Sequence, residues 1–269
     1  MGSSRMSRIV LRIAAAVTLA FIYLPIGVVV LYSFNASPLV RWPITELTTD
    51  WYARAFGNEG VREALTASLQ AAIGATLMAV VLGTMIAFAV HRFRFFGRDG
   101  ISFLVLLPIA LPGIVTGIAL NTTFRTLGIA FGLLTVIIGH ATFCVVVIYN
   151  NVIARLRRSA RSAQEASMDL GADTWQTFRS ITLPAIGTSL VAGALLAFAL
   201  SFDEIIVTTF TAGAGIQTLP IWIFSNYSRP NQLPLVNVAS VLVLLLSIIP
   251  VYIAARITSD PAAVAGSRS

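Results

Sequence analysis

Long runs of apolar residues alternate with short polar segments along almost the whole chain. Each run is close to the ~20 residues that a helix needs to cross the hydrocarbon core of a bilayer. Backbone groups in hydrocarbon must bond within their own segment, so each run is predicted to be a helix. The third run is broken by Pro108 and Pro112, which should kink its helix. The six predicted spans are residues 9–34, 63–90, 101–124, 130–154, 184–210 and 235–257.

The longest polar interruption, residues 155–183, separates the fourth and fifth spans. Its middle favours a helix in which Glu165 and Asp169 lie one turn apart on the same face. Gly171 stands where that helix should end, because glycine tolerates the left-handed conformation of a helix cap. The segment is therefore predicted to form a helix, a turn and a further helix. Candidate residues for starting the following helices are Asp173, Thr174 and Pro184.

Composition supports a membrane protein of the all-α class, with a single domain over residues 1–269. The chain is 57% hydrophobic and 11% charged, whereas a soluble domain carries about 25% charged residues. All eighteen basic residues are Arg. Because a P-loop requires lysine, nucleotide chemistry must reside on another polypeptide. Cys144 lies in an apolar run and is expected to be buried and inert. Met1 to Ser4 carry no weight in these predictions.

The arginines also predict the orientation in the membrane. If both termini are cytoplasmic, thirteen arginines lie in inner segments and five in outer ones, as the positive-inside rule requires. The basic, aromatic loop 91–100 is then a membrane anchor, and no nucleic-acid partner is expected. The outer loop 35–62 contains Trp42, Trp51 and Phe56, whose spacing suits a short interfacial helix or a contact with a soluble partner.

Two adjacent acids, Asp203 and Glu204, stand inside the fifth predicted span. Charged residues in a span are costly and usually face a cavity or a transport pathway. The pair is predicted to attract a cation, with Phe198 and Phe202 supplying apolar or cation–π contact. The alternative is that the span ends early and both acids are merely interfacial. His140 is expected to hydrogen-bond between helices, since no metal-ligand spacing surrounds it.

The polar interruption resembles the EAA loop of bacterial ABC-importer permeases, with the pattern E-A-A-x-x-x-G followed by I-x-L-P. The matching residues are Glu165, Ala166, Gly171, Ile181, Leu183 and Pro184, with Ser167 in place of the second alanine. The resemblance implies the type I importer permease fold and a bacterial inner-membrane location. It also implies that a short cytoplasmic helix docks on an ATPase. The residues expected to couple transport to that ATPase are Glu165, Ala166, Ser167, Asp169, Gly171, Ala172, Phe178, Leu183 and Pro184.

Other segments resemble the polyamine branch of these permeases, the second membrane subunit of spermidine and putrescine importers. They include Tyr32-Ser-Phe-Asn35, His140-Ala-Thr-Phe-Cys144 and the stretch from Leu200 to Thr211. One position departs from that branch, which often carries an acid after a proline in the third span. Here Gly113 follows Pro112.

The resemblance implies a transport subunit that is not itself an enzyme and that holds no metal or cofactor. ATP and Mg²⁺ would bind to the partner ATPase. The expected partners are a second permease, an ATPase dimer, an extracytoplasmic binding protein, the lipid bilayer and a small cationic substrate. Alternatives are an importer of an amino-acid-like compound, an opine or ferric iron. An intramembrane enzyme using His140 with Ser189 or Ser201 is a further alternative, although neither serine lies in a G-x-S-x-G elbow.

Overall fold

The computed structural model describes residues 5–93, 95–158 and 161–259. Helices account for most of these residues, and their only extended pairing is an isolated bridge between Asn35 and Leu47. The predicted all-α class is therefore confirmed. The α-helices are α1 (Arg5–Tyr32), α2 (Asp50–Gly57), α3 (Glu59–Arg92), α4 (Arg98–Ala110), α5 (Gly113–Thr126), α6 (Leu133–Arg158), α7 (Arg161–Asp169), α8 (Thr174–Thr177), α9 (Leu183–Phe202), α10 (Ile206–Thr211), α11 (Leu219–Asn226) and α12 (Leu233–Ser259).

Five helical segments of the described chain are long and apolar enough to cross a membrane, and a bent pair of helices makes up to six. This agrees with the six predicted spans, although several helices extend beyond the predicted bounds. The five are Arg8–Tyr32, Glu59–Arg92, Leu133–Arg158, Thr174–Phe202 and Pro230–Thr258.

The third predicted span is broken, as predicted, but at one proline only. Gly100–Ala110 and Gly113–Thr126 meet at an angle of 107°, so the break lies at Pro112, whereas Pro108 lies inside α4. Leu111 has extended backbone angles, which is the conformation favoured before a proline. Pro112 precedes the first residue of α5 and lacks the N–H that a continuous helix would need.

The fifth predicted span also ends earlier than expected. Helix α9 stops at Phe202, and α10 begins only at Ile206. The predicted range 184–210 is therefore wrong at its end, because two separate helices replace one. The side chain of Glu204 stabilises the new start, since its Oε1 accepts a hydrogen bond of 2.8 Å from the backbone N–H of Val207.

Backbone contacts divide the chain into two compact units, and the prediction of a single domain over 1–269 stays a prediction. One unit comprises residues 5–62 and 222–242, and the other residues 63–221 and 243–259. In the larger unit α6 packs against several other helices. Glycines on α3 and α9 allow these helices to approach α6 closely. A Cβ at Gly83 would lie 2.8 Å from Ile148 Cβ, and one at Gly193 would lie 3.3 Å from Asn151 Cβ.

In the smaller unit the segment after α1 folds back on itself. Tyr52 OH and Ser33 Oγ are 2.8 Å apart, and Trp51 Nε1 donates to the carbonyl oxygen of Asn35 at 2.9 Å. Helix α2 is the short helix predicted in this loop. Trp42 stays 77% exposed, which leaves both predicted roles of the loop, membrane anchoring and protein contact, as predictions.

Candidate functional site

The polar segment after α6 forms the predicted helix and turn. Helix α7 covers the E-A-S sequence, and Glu165 and Asp169 are both exposed. Gly171 has a φ of +88°. The N–H of Gly171 donates to the carbonyl of Met168 at 2.9 Å, and the N–H of Ala172 donates to that of Ser167 at 3.1 Å. These two bonds form a Schellman motif, which confirms the predicted helix end at Gly171.

The next helix begins at a capping box. Asp173 Oδ1 accepts a hydrogen bond of 2.7 Å from the N–H of Gln176, and Gln176 Oε1 accepts one of 3.0 Å from the N–H of Asp173. Of the two candidate caps, the structure therefore uses Asp173. A π-helix, Phe178–Thr182, then joins α8 to α9, and Pro184 occupies the first turn of α9 as predicted.

Polar and aromatic contacts fix this segment to the membrane helices. Ser167 Oγ and Thr177 Oγ1 are 3.1 Å apart, and Gln164 Nε2 donates to Thr182 Oγ1 at 3.3 Å. The ring of Phe178 packs edge-on against Phe88 of α3, with centroids 5.1 Å apart. Helix α7 thus contacts α8 and the π-helix that leads into α9, and the π-helix contacts α3.

The outer surface of the segment combines acids with apolar side chains. Leu170 is 89% exposed and Trp175 is 66% exposed, although the surrounding residues are polar. Two exposed apolar side chains on a polar segment make this surface a candidate for contact with another protein. Sequence reasoning missed both residues, and their position next to a helix cap was the available signal.

An apolar cavity of about 360 Å³ lies beside this surface. Trp175 stacks on Phe178 at its edge, with ring centroids 5.7 Å apart. The ring of Phe178 therefore contacts both Trp175 and Phe88 of α3. Leu183, another residue expected to couple transport, is only partly exposed. The cavity is lined by Thr84, Met85, Phe88, Thr174, Trp175 and Phe178.

The predicted pathway residues lie at the break between α9 and α10. Both acids lie outside regular helix, because α9 ends at Phe202 and α10 begins at Ile206. Asp203 is exposed and Glu204 is half-buried. Phe202 is only 1% exposed, and its ring stacks on that of Phe198 at 5.9 Å. The structure thus brings the two aromatic residues together, and a role in the pathway remains a prediction for all four residues.

His140 lies next to the same break and is fully buried. Its Nδ1 is 2.7 Å from Ser201 Oγ, and its Nε2 is 2.7 Å from Thr208 Oγ1. This confirms the prediction that His140 forms hydrogen bonds between helices. The Ser201–His140 pair has no access for a substrate, since both side chains are buried. Within the described residues no group of three or more His, Cys, Asp or Glu stands together as a metal site.

Comparison with known proteins identifies relatives over most of the chain. Residues 79–260 match the family described as binding-protein-dependent transport system inner membrane component. The chain is 37% identical to the putrescine transport system permease protein PotI of Escherichia coli K12, over 83% of this chain and 82% of PotI. It is 32% identical to the spermidine/putrescine permease PotC of the same organism, over 90% of each.

A solved structure shares the fold at low sequence identity. It is a bacterial ABC transporter involved in the import of the acidic polysaccharide alginate, with a TM-score of 0.68 and 16% identity. The match covers 96% of this chain and 98% of the alginate transporter's chain.

Proposed function

The chain belongs to the family of binding-protein-dependent transport system inner membrane components, and from this we propose that it carries a polyamine into the cell. It is a membrane permease of an ABC importer rather than an enzyme. We assign it to the second membrane subunit, which works with another permease, an ATPase dimer and an extracytoplasmic binding protein. ATP and Mg²⁺ bind to the ATPase in this proposal, and this chain needs no cofactor.

The substrate assignment rests mainly on one observation, the 37% identity to a putrescine permease over 83% of the chain. The chemistry at the α9–α10 break supports it. A putrescine or spermidine molecule carries two or more ammonium groups, and charge of this kind is costly where water is scarce. Asp203 and Glu204 offer two carboxyl groups at adjacent positions outside regular helix. We therefore place them in the substrate pathway.

Energy enters through the segment from α7 to α9. Glu165, Asp169, Leu170 and Trp175 form its exposed surface, which suits docking in a cleft of the ATPase. Movement of the ATPase would displace α7, and the contacts to α3 and α9 would carry that displacement into the membrane. In this arrangement both termini and residues 155–183 face the cytoplasm.

Uptake by the reconstituted complex tests the proposal. The chain is purified with its permease, ATPase and binding-protein partners and placed in liposomes that contain ATP. We expect uptake of radiolabelled putrescine or spermidine, and no uptake with a nonhydrolysable ATP analogue. Uptake of a labelled amino acid, an opine or ferric iron, with no polyamine uptake, would instead support the alternative solutes and leave the permease assignment intact.

A further inference from the structure

We propose that His140 is a positioning residue that sets the geometry of the α9–α10 break and thereby places Asp203 and Glu204 in the pathway. This inference rests on the proposed function, because it assigns His140 a role in placing the acid pair. The buried imidazole of His140 contacts α9 on one side of the break and α10 on the other.

The imidazole spans the break from a third helix. His140 belongs to α6, whereas Ser201 lies in the last turn of α9 and Thr208 lies in α10. Both contacts are 2.7 Å long, and all three side chains are almost completely buried. The residues between the two contacts include the whole nonhelical segment that carries the acids. The ring therefore restrains where α9 ends and where α10 begins.

The hydrogens of this network can be assigned from its geometry. The Thr208 hydroxyl donates to the carbonyl oxygen of Glu204 at 2.9 Å. A hydroxyl has a single hydrogen, so Thr208 Oγ1 can only accept from His140 Nε2–H. In a neutral ring Nδ1 must then accept from the hydroxyl of Ser201. The chain of bonds runs from Ser201 through His140 and Thr208 to the backbone of Glu204.

Two further contacts hold α10 against α6. A Cβ at Gly139 would lie 3.1 Å from Val207 Cγ1, so the helices approach closely there. Thr135 Oγ1 donates to the carbonyl oxygen of Thr211 at 2.7 Å. These contacts fix the body of α10. Among the side-chain hydrogen bonds of the described residues, those of His140 join α10 to the end of α9, and a buried donor without a partner would be unfavourable.

Transport by the full complex provides the first test. His140→Phe keeps a ring of similar size and removes both hydrogen bonds, whereas Ser201→Ala removes only the Nδ1 partner with little change in volume. Thr142→Val is the matched control, because the Thr142 hydroxyl donates to Gly139 within α6 and bridges nothing. We expect about a tenfold lower maximal uptake for His140→Phe, a smaller loss for Ser201→Ala and none for the control. Uptake is normalised to assembled complex, and wild-type uptake by both variants overturns the proposal.

A second comparison separates positioning from general structural support. In a background of Asp203→Asn and Glu204→Gln, His140→Phe should cause no further loss, because the groups that it positions are gone. A merely structural residue would lower uptake by the same factor in both backgrounds, since independent effects add in free energy. Equal factors in the two backgrounds would therefore overturn the proposal.

Chemical labelling tests the geometry without any substrate. Asp203→Cys is introduced together with Cys144→Ser, which keeps a hydrogen-bonding group near the carbonyl oxygen of Ala197. We expect His140→Phe, but not Thr142→Val, to change the rate at which a thiol reagent modifies the new cysteine. An unchanged rate overturns the inference about His140. Changed labelling, together with no polyamine uptake by the wild-type complex, would instead support the inference about the break and contradict the proposed substrate.

Discussion

Gly113 and Ile206, the first residues of α5 and α10, lie in contact. A Cβ built on Gly113 would stand 3.6 Å from Ile206 Cγ2. At the other end of the pair, Asn121 Nδ2 donates to the carbonyl oxygen of Phe210 at 2.6 Å. The two interruptions of the membrane helices are therefore neighbours, and α10 packs against the part of α5 between Gly113 and Asn121. A rearrangement at one break must be accommodated at the other.

Substitution of two glycines in α5 should have opposite outcomes. Gly113→Ala should be tolerated, because its Cβ would be in ordinary contact with Ile206. Gly117→Ala would place a Cβ 2.6 Å from Phe210 Cδ2 and 3.2 Å from Phe210 Cβ, so the whole side chain would have to move. Overpacking of this kind costs about 1–3 kcal/mol. The thermal unfolding midpoint of the detergent-solubilised protein should fall only for Gly117→Ala, and equal midpoints would contradict the packing of α5 on α10.

Position 171 should tolerate only residues that adopt a positive φ. Gly171→Val forces a β-branched residue into the left-handed region, at a cost of about 1–2 kcal/mol, and should disrupt the Schellman motif. Gly171→Asn is the matched control, since asparagine visits this region readily. We expect Gly171→Val to lose both ATPase co-purification and uptake, while Gly171→Asn retains them. Normal co-purification of Gly171→Val would show that the helix end is not needed for docking.

The two acids at the α9–α10 break should differ in their effects. Asp203→Asn changes an exposed side chain and should lower polyamine uptake without changing the unfolding midpoint. Glu204→Ala also removes the acceptor for the N–H of Val207, a loss of about 1 kcal/mol for a side-chain cap, so its unfolding midpoint should fall as well. Unchanged uptake in the double variant Asp203→Asn, Glu204→Gln would remove both residues from the pathway.

The predicted orientation can be measured by labelling intact cells. On a Cys144→Ser background, Thr45→Cys lies in the loop predicted to be outside and Ser162→Cys in the segment predicted to be cytoplasmic. Both positions are exposed. A membrane-impermeant thiol reagent should modify Thr45→Cys in intact cells and Ser162→Cys only after lysis. The reverse pattern would overturn the arginine argument.

Most of the local structure of residues 161–184 could be predicted from the sequence. The helix before Gly171, the left-handed cap, the capping residue Asp173 and the start of α9 at Pro184 all depend on residues within a few positions of one another. Such signals are visible in a single sequence because turn and cap chemistry is local. The number of spans could likewise be predicted from hydropathy alone.

The breaks and their partners could not be predicted in the same way. Asp203 and Glu204 interrupt the apolar run, but it resumes at once with Ile205, so the sequence left open whether the helix ends at Phe202. The partners of His140 lie 61 and 68 residues away in the sequence, and only the packing of α6 brings them together. Pro112 signalled a disturbance, but the size of the 107° angle at that point could not be predicted from the sequence.

The π-helix at Phe178–Thr182 joins α8 to α9, and a change in its hydrogen-bond pairing would change both the rotation and the axial position of α9. Its hydrogen bonds run from i to i+5, so it holds more residues per turn than an α-helix. Residues in an α-helix follow one another at about 100° around the axis and ~1.5 Å along it. If tension on α7 returned the joint to α pairing, α9 would rotate as well as slide, and the Phe198 face would turn with it. Deleting Ser180 should remove this freedom, and distances between spin labels on α6 and α9 should then no longer change with ATP.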